Sequence, residues 1–340
     1  MDERHVPRYW ATVWSIMAGA QLAPATLTKK LRYIENLYLH ADYLRGNGAL
    51  DEALAHLEEV ILAEVLESWF VSIRNQATQT DADEARWQTG LDFVTSIVTW
   101  LSRSAIPNSR LKRIEERLHC LNFLYDQLHI RRRQPTQAVR SLPANVVSAL
   151  YEHLDPVAAR NPFSREKVRW QVYLAFFLML HQGLRRAEAL LLPVDAIKSA
   201  YDNRQQRMRY WLNVQTNRYA DEDDDPRYSR PSIKTAQSIR QVPVSEPVAK
   251  LVQTYVENYR GRPDHPYLLN SQKNQPLSTE SITKLFAKLS DNLPEPILAE
   301  LRDRTGKESV TAHDLRHTCA VVRLNQLLQQ GDSMEEALQK

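Results

Sequence analysis

The chain has 340 residues, 43 % of them hydrophobic and 25 % charged, with a formal net charge of +3 and a mean hydropathy of −0.49. At about 100–200 residues per domain the length predicts two domains, and the composition excludes a disordered chain. No run approaches the roughly 18 apolar residues of a membrane span, and two distant cysteines, Cys120 and Cys319, give neither a disulfide framework nor a zinc site.

The N-terminus, MDERHVPRYW, lacks the apolar stretch of a secretory signal. A reducing cytoplasm is the expected compartment. Residues 1–25 hold Tyr9, Trp10 and Trp14, which we read as a docked terminal helix rather than an arm reaching a neighbour. From Thr26 the apolar positions 27, 31, 34, 37 and 38 predict a helix. It ends near the Gly46-Asn-Gly48 punctuation. Further helices are predicted over 51–74, 84–103 and 107–130, the last with Pro107 in its first turn. Charge is uneven along this half: residues 51–80 carry a net −5 and residues 101–140 a net +6. Such asymmetry suits a polyanion partner, or simply a solvated helix face followed by a basic linker. The linker is placed at 131–141, which opens on Arg131-Arg132-Arg133.

Beyond it, helices are predicted over 143–154, 165–182 and 185–192. Residues 207–215 mix aromatic and β-branched types and read as a strand. Residues 232–244 read as a hairpin or strand pair. The acidic run Asp221 to Asp225 between them is expected to be a solvated loop. Helices resume at 245–260, 278–292, 295–304 and 313–330. There is no internal repeat. The fold class is mainly α with a small antiparallel β-sheet.

Three stretches carry the chemistry. In His181-Gln-Gly-Leu-Arg185-Arg-Ala-Glu188, the Arg and Glu are three apart and share one helix face; alone, this is an ordinary surface ion pair. In Ser232-Ile-Lys234-Thr, a lysine lies near a predicted turn, which alone is weak evidence. In Thr311-Ala-His313-Asp-Leu-Arg316-His317-Thr, Thr311 and Asp314 form a capping-box pattern. His313 and Arg316 then open a helix, where phosphate is readily held.

Taken in this order, Gly-Leu-Arg185-x-x-Glu188, Lys234 and His313-Asp-Leu-Arg316-His317-Thr resemble the tyrosine recombinase (phage integrase) family. The likeness spans about residues 26–340. It implies a helical core-binding domain over 1–135 and an α+β catalytic domain over 142–340, lacking its last helices. It implies a site-specific recombinase that grips duplex DNA in a C-shaped clamp and cleaves through a 3′-phosphotyrosyl intermediate. Arg185 and Arg316 would hold the non-bridging oxygens of the phosphorane with forked donors. Lys234 would protonate the leaving 5′-oxygen, and His313 would move a proton or hold the phosphate. Glu188 would fix Arg185 or His313. His317 would pack the helix or face the phosphate. No metal or other cofactor is required, since the arginines supply the positive charge. Lys29, Lys30, Arg110, Lys112, Arg113, Arg131, Arg132 and Arg133 are candidates for DNA phosphate contact. The implied partners are double-stranded DNA, further copies in a tetrameric synapse, and other recombinase subunits, with no membrane. The implied location is the nucleoid of a bacterial or phage-type cytoplasm, and the implied setting a mobile genetic element.

One departure stands out. The family places its nucleophilic tyrosine well after the His-x-x-Arg helix, yet the last tyrosine here is Tyr267. Without that residue no phosphotyrosyl bond forms. We read this first as a chain that stops short of the last helices. The alternatives are a non-cleaving DNA-binding or accessory relative, or a tyrosine donated by another chain. A type IB topoisomerase shares the phosphate chemistry, but the N-terminal helical bundle favours the recombinases.

Overall fold

The computed structural model describes residues 6–19, 21–76, 80–104, 140–217, 225–233 and 238–339, with 116, 119 and 123. The chain divides into two compact units, Met1–Pro135 and Thr136–Lys340.

The first unit is helical: α1 (Tyr9–Gly19), α2 (Pro24–Arg45), α3 (Ala49–His56), α4 (Glu59–Arg74) and α5 (Asp81–Ser104). In α2, Pro24 sits where its missing N–H costs nothing. Ile34, Leu37, Tyr38 and Ala41 form the buried stripe. The core gathers Leu37, Leu50, Leu66, Trp69 and Phe93, each at most 1 % exposed. Gly90 belongs to α5 because Trp69 needs its space: a Cβ there would lie 2.3 Å from the indole ring. α1 docks through buried Trp10 and Trp14, and Trp10 Nε1 donates to the Asp51 carbonyl at 3.1 Å. Arg8, just before it, is held by Asp42.

The single helix expected over 51–74 is two helices. Leu57 adopts a left-handed conformation, φ 52°, and closes α3, its N–H reaching the Ala53 and Leu54 carbonyls. A leucine in that region is strained; burying both helices' apolar faces compensates. The helix expected at 107–130 and the linker at 131–141 lie almost wholly outside the described residues; 116, 119 and 123 are helical.

The second unit runs α6 (Ala144–Leu154), α7 (Glu166–Leu180), α8 (Arg186–Leu191), β1 (Ile197–Asp202), β2 (Arg207–Val214), β3 (Arg240–Val244), α9 (Glu246–Thr254), α10 (Thr279–Ser290), α11 (Glu295–Thr305), α12 (Ala312–Gln329) and α13 (Met334–Gln339). α9 continues into a π-helical turn, Tyr255–Tyr259. α7 is apolar nearly all round and is the central helix, burying Val168, Val172, Leu174, Ala175, Phe176, Leu178, Met179 and Leu180. No helix among the described residues is long and apolar enough to cross a membrane.

The sheet is antiparallel in the order β1-β2-β3. Leu212 pairs with Ile197 on one side and Val242 on the other, so one face presents Leu212, Val214, Val242 and Val244 to the core. The residues therefore make a mainly α fold with a small antiparallel sheet. Two details differ from the sequence expectation. β1 was not foreseen: Ile-Lys-Ser-Ala-Tyr-Asp is mostly exposed and lacks the alternation that marks a half-buried strand. Among the described residues of 232–244, only Arg240–Val244 is a strand, and it pairs back onto β2.

The acidic run also has an anchored end. Asp225 is buried against Arg227, with carboxylate–guanidinium distances of 2.6–3.1 Å. Residues 221–224 lie outside the described residues.

Candidate functional site

Three pieces of backbone build the site: the turn between α7 and α8, strand β3, and the start of α12. The turn depends on Gly183, at φ +61°. A side chain there would be strained in φ, and its Cβ would come within 3.1 Å of the Cys319 sulfur. This close approach seats α12 against the turn. The Gly183 carbonyl, turned outward, accepts a hydrogen bond from Arg316 Nη1. Cys319, buried beneath, has its thiol pushed up in pKa by that burial.

Glu188, on α8, is the hub. Its side chain is 2 % exposed. It accepts the Arg185 backbone N–H at 2.8 Å and Arg185 Nη1 at 2.8 Å. It also accepts Arg240 Nη1 and Nη2 at 3.1 and 3.0 Å. Arg316 Nη1 lies 3.8 Å away. Arg185 Nη1 also donates to Ser238 Oγ at 2.9 Å. Burial alone would raise the Glu188 pKa; hydrogen bonds from Arg240 and Arg185 outweigh it and hold the carboxyl below its ordinary value. Burial first, then the charge of Arg185, lowers the pKa of Arg316, which nonetheless stays cationic. Three arginines thus share one acid, a local surplus of two positive charges.

The α12 N-terminus is fixed independently. Thr311 N–H and Oγ1 donate to Asp314 Oδ2 at 2.9 and 2.8 Å, and Lys307 pairs with the other oxygen of this buried acid. Thr318 Oγ1 accepts the Leu142 N–H at 2.8 Å and donates to the Asp314 carbonyl. One turn of this helix then presents two histidines, with His313 Nε2 2.8 Å from His317 Nε2. At that distance one ring nitrogen donates a hydrogen bond that the other accepts. Burial, then the neighbouring His313 and Arg140, lowers the His317 pKa. Arg185, Arg186, Thr283, His313 and Arg316 line a cleft of about 500 Å³ between α8, α10 and α12.

The structure thus brings together Arg185, Glu188, His313 and Arg316, with His317 beside His313. Lys234 lies outside the described residues, as do Arg110, Lys112, Arg113, Arg131, Arg132 and Arg133. Lys29 and Lys30 sit on α2 of the other unit, exposed and half-exposed. Glu188 contacts Arg185 rather than His313, and the pair is no surface ion pair. Sequence reasoning missed Arg240 and Ser238. The available signal was a charged residue on the same strand face as Val242 and Val244. Among the described residues no three His, Cys, Asp or Glu side chains converge as metal ligands.

A small antiparallel sheet and a helical core carry an arginine-lined cleft. The chain belongs to the phage integrase family, the tyrosine recombinases: the family model matches residues 140–333. Among solved structures, it is similar to the XerH site-specific recombinase bound to difH substrate in a pre-cleavage complex, at 16 % identity and a TM-score of 0.45. That match covers 82 % of this chain, and the chain spans 62 % of the XerH chain. The XerA recombinase is similar at 13 % identity and a TM-score of 0.34, over 96 % of this chain and 87 % of XerA. No curated protein matches.

Proposed function

We propose that this chain binds duplex DNA and holds a backbone phosphate for site-specific strand exchange. The observation that carries this reading is the buried Glu188 shared by Arg185, Arg240 and Arg316 beside a cleft that also holds His313. A surplus of cations, held rigid and partly exposed, is suited to a phosphodiester and better suited to its more negative pentacoordinate transition state.

In the proposed reaction a tyrosine hydroxyl attacks phosphorus and the P–O5′ bond breaks. Arg185 and Arg316 hold the non-bridging oxygens. Lys234 gives its proton to the departing 5′-oxygen, and His313, hydrogen-bonded to His317, holds the phosphate or takes the proton that the tyrosine hydroxyl loses. No tyrosine follows Tyr267 in this sequence, so covalent cleavage requires one from outside it. The helical unit is proposed as the core-binding domain, with Lys29, Lys30, Arg110, Lys112, Arg113 and Arg131–Arg133 on DNA phosphates. Further copies assembling on DNA, in a nucleoid setting, complete the reading.

Duplex binding across a salt series is the test. We expect affinity to fall steeply with salt and Arg185→Ala or Arg316→Ala to weaken it. Replacing Arg131, Arg132 and Arg133 by alanine should flatten the salt slope by about 0.9 per lost phosphate contact. No duplex binding at low salt would overturn the proposal. A second reading is a non-cleaving DNA-binding or accessory protein. The intact mass of the protein in its native cell separates the two. A mass above 39.4 kDa with a tyrosine in the added segment supports the cleaving enzyme; 39.4 kDa supports the binding factor, unless a partner brings the tyrosine.

A further inference from the structure

We infer that Arg240 is a positioning residue of this site: it takes up the charge of Glu188, leaving Arg185 and Arg316 for the phosphate, and ties Arg185 to Ser238. The inference rests on the phosphate-binding reading above and adds a residue to it.

A carboxylate offers about four lone-pair positions. At Glu188 they are filled by the Arg185 N–H, by Arg185 Nη1 and by two nitrogens of Arg240. Only Arg240 engages both oxygens with a guanidinium fork, the geometry that makes an arginine–carboxylate pair strong and specific. Arg185 spends one guanidinium nitrogen on the acid. Arg316, at 3.8 Å, feels its charge without a hydrogen bond. The order of commitment is therefore Arg240, Arg185, Arg316. Without Arg240, a buried acid would take the forks of the other two arginines, since an unpaired buried charge is costly.

The charge count supports the same role. With Arg240 present the cluster carries a surplus of two positive charges; without it, one. A phosphodiester carries one negative charge and the phosphorane a second, so the surplus matches the transition state rather than the ground state. Arg240 Nη1 also donates to the Ser238 carbonyl at 2.9 Å, while Ser238 Oγ accepts from Arg185. Ser238 is the first described residue after Lys234. Through Ser238 the arginine on β3 makes a second link to Arg185.

The test uses the full chain and inorganic phosphate, followed by the Nε–Hε NMR signals of Arg185 and Arg316. Arg240→Ala should weaken phosphate binding about tenfold or more, the scale of a charged hydrogen bond. Arg240→Lys should recover only part, because a point charge cannot fork. The double variant Arg240→Ala with Glu188→Gln should bind more tightly than Arg240→Ala alone, since no stray carboxylate remains. It also leaves no unpaired buried acid, and so serves where Arg240→Ala fails to fold. Unchanged affinity in Arg240→Ala, or no gain in the double variant, would overturn the inference.

A phosphate-free readout separates this from the proposed function. The carboxylate signal of Glu188 faces Arg185, Arg240 and Arg316, and the Nη exchange of Arg185 reports its grip on that acid. Both should change in Arg240→Lys as Glu188 turns to Arg185. If the wild-type chain binds no phosphate, the proposed function fails. Arg240 is then judged by these two signals, and unchanged signals would overturn its role.

Discussion

Arg227 and Asp225 form one buried ion pair, whereas Arg185, Arg240 and Arg316 share a single acid. In the first cluster both side chains are at most 5 % exposed. Every guanidinium nitrogen of Arg227 has a protein partner: Asp225, the Leu190 and Leu277 carbonyls at 3.1 and 3.4 Å, with the Tyr267 ring 4.1 Å from its centre. Tyr267 also donates its hydroxyl to Asp225 at 3.1 Å. Charge is balanced, every guanidinium nitrogen is engaged and both side chains are buried, so little remains to offer a ligand. In the second cluster the arginine side chains are 29–40 % exposed and outnumber their acid. The same chemical pair is closed on itself when its charges cancel and carries spare positive charge when they do not. The two clusters also share a helix: Arg227 holds the carbonyl of Leu190 near the end of α8, whose start carries Arg185 and Glu188.

Breaking the closed pair should cost the most. Arg227→Met leaves a buried, uncompensated carboxylate, and we expect about 3–5 kcal/mol lost in urea unfolding. Adding Asp225→Asn should return much of it. Burial raises the Asp225 pKa, but hydrogen bonds from Arg227 outweigh this and hold it below the ordinary aspartate value. Its contribution is therefore present above about pH 3.9 and lost as pH falls through the lowered folded value. Acid titration of stability in the wild type should show that loss, and Arg227→Met should not.

The open cluster should respond in the opposite currency. Arg316→Ala is expected to weaken duplex binding about tenfold, while its unfolding free energy moves less than that of Arg227→Met. Equal stability losses in the two variants would erase the distinction drawn between them. Gly183→Ala comes next, at about 1–2 kcal/mol, because φ is positive there and α12 sits against the turn. The smallest effect belongs to His317. Its folded pKa is depressed, so the stability it lends is present above the ordinary histidine value of about 6.5 and fades as pH falls through the lower folded value. His317→Ala should flatten that part of the pH–stability curve.

The sequence made the helices legible wherever apolar residues recur on one face, as at Ile34, Leu37, Tyr38 and Ala41 of α2. The Arg185–Glu188 and His313–Arg316 stretches were legible through their resemblance, in type and order, to the motifs of the family; spacing alone leaves the first an ordinary surface ion pair. What stayed hidden depends on pairing across the chain. Arg240 meets Glu188 only because β3 lies beside β2 in one register, and no local pattern states that register. Leu57 breaks a helix although leucine is a good helix former; tertiary burial overrode propensity. The hydrogen bond between His313 and His317 follows from rotamers that spacing alone leaves open.

Strand β3 alternates two duties along five residues. Val242 and Val244 fill the core, and Arg240 lies on the same side of the strand, where that side reaches Glu188. A slip of one residue would carry all three to the opposite face. The valines therefore act as a checksum on the charge: any misaligned sheet is exposed as greasy and disarmed at once. Tuning hydrophobic packing in this strand is, in effect, a way of editing the electrostatics of a cleft that none of those methyl groups touches.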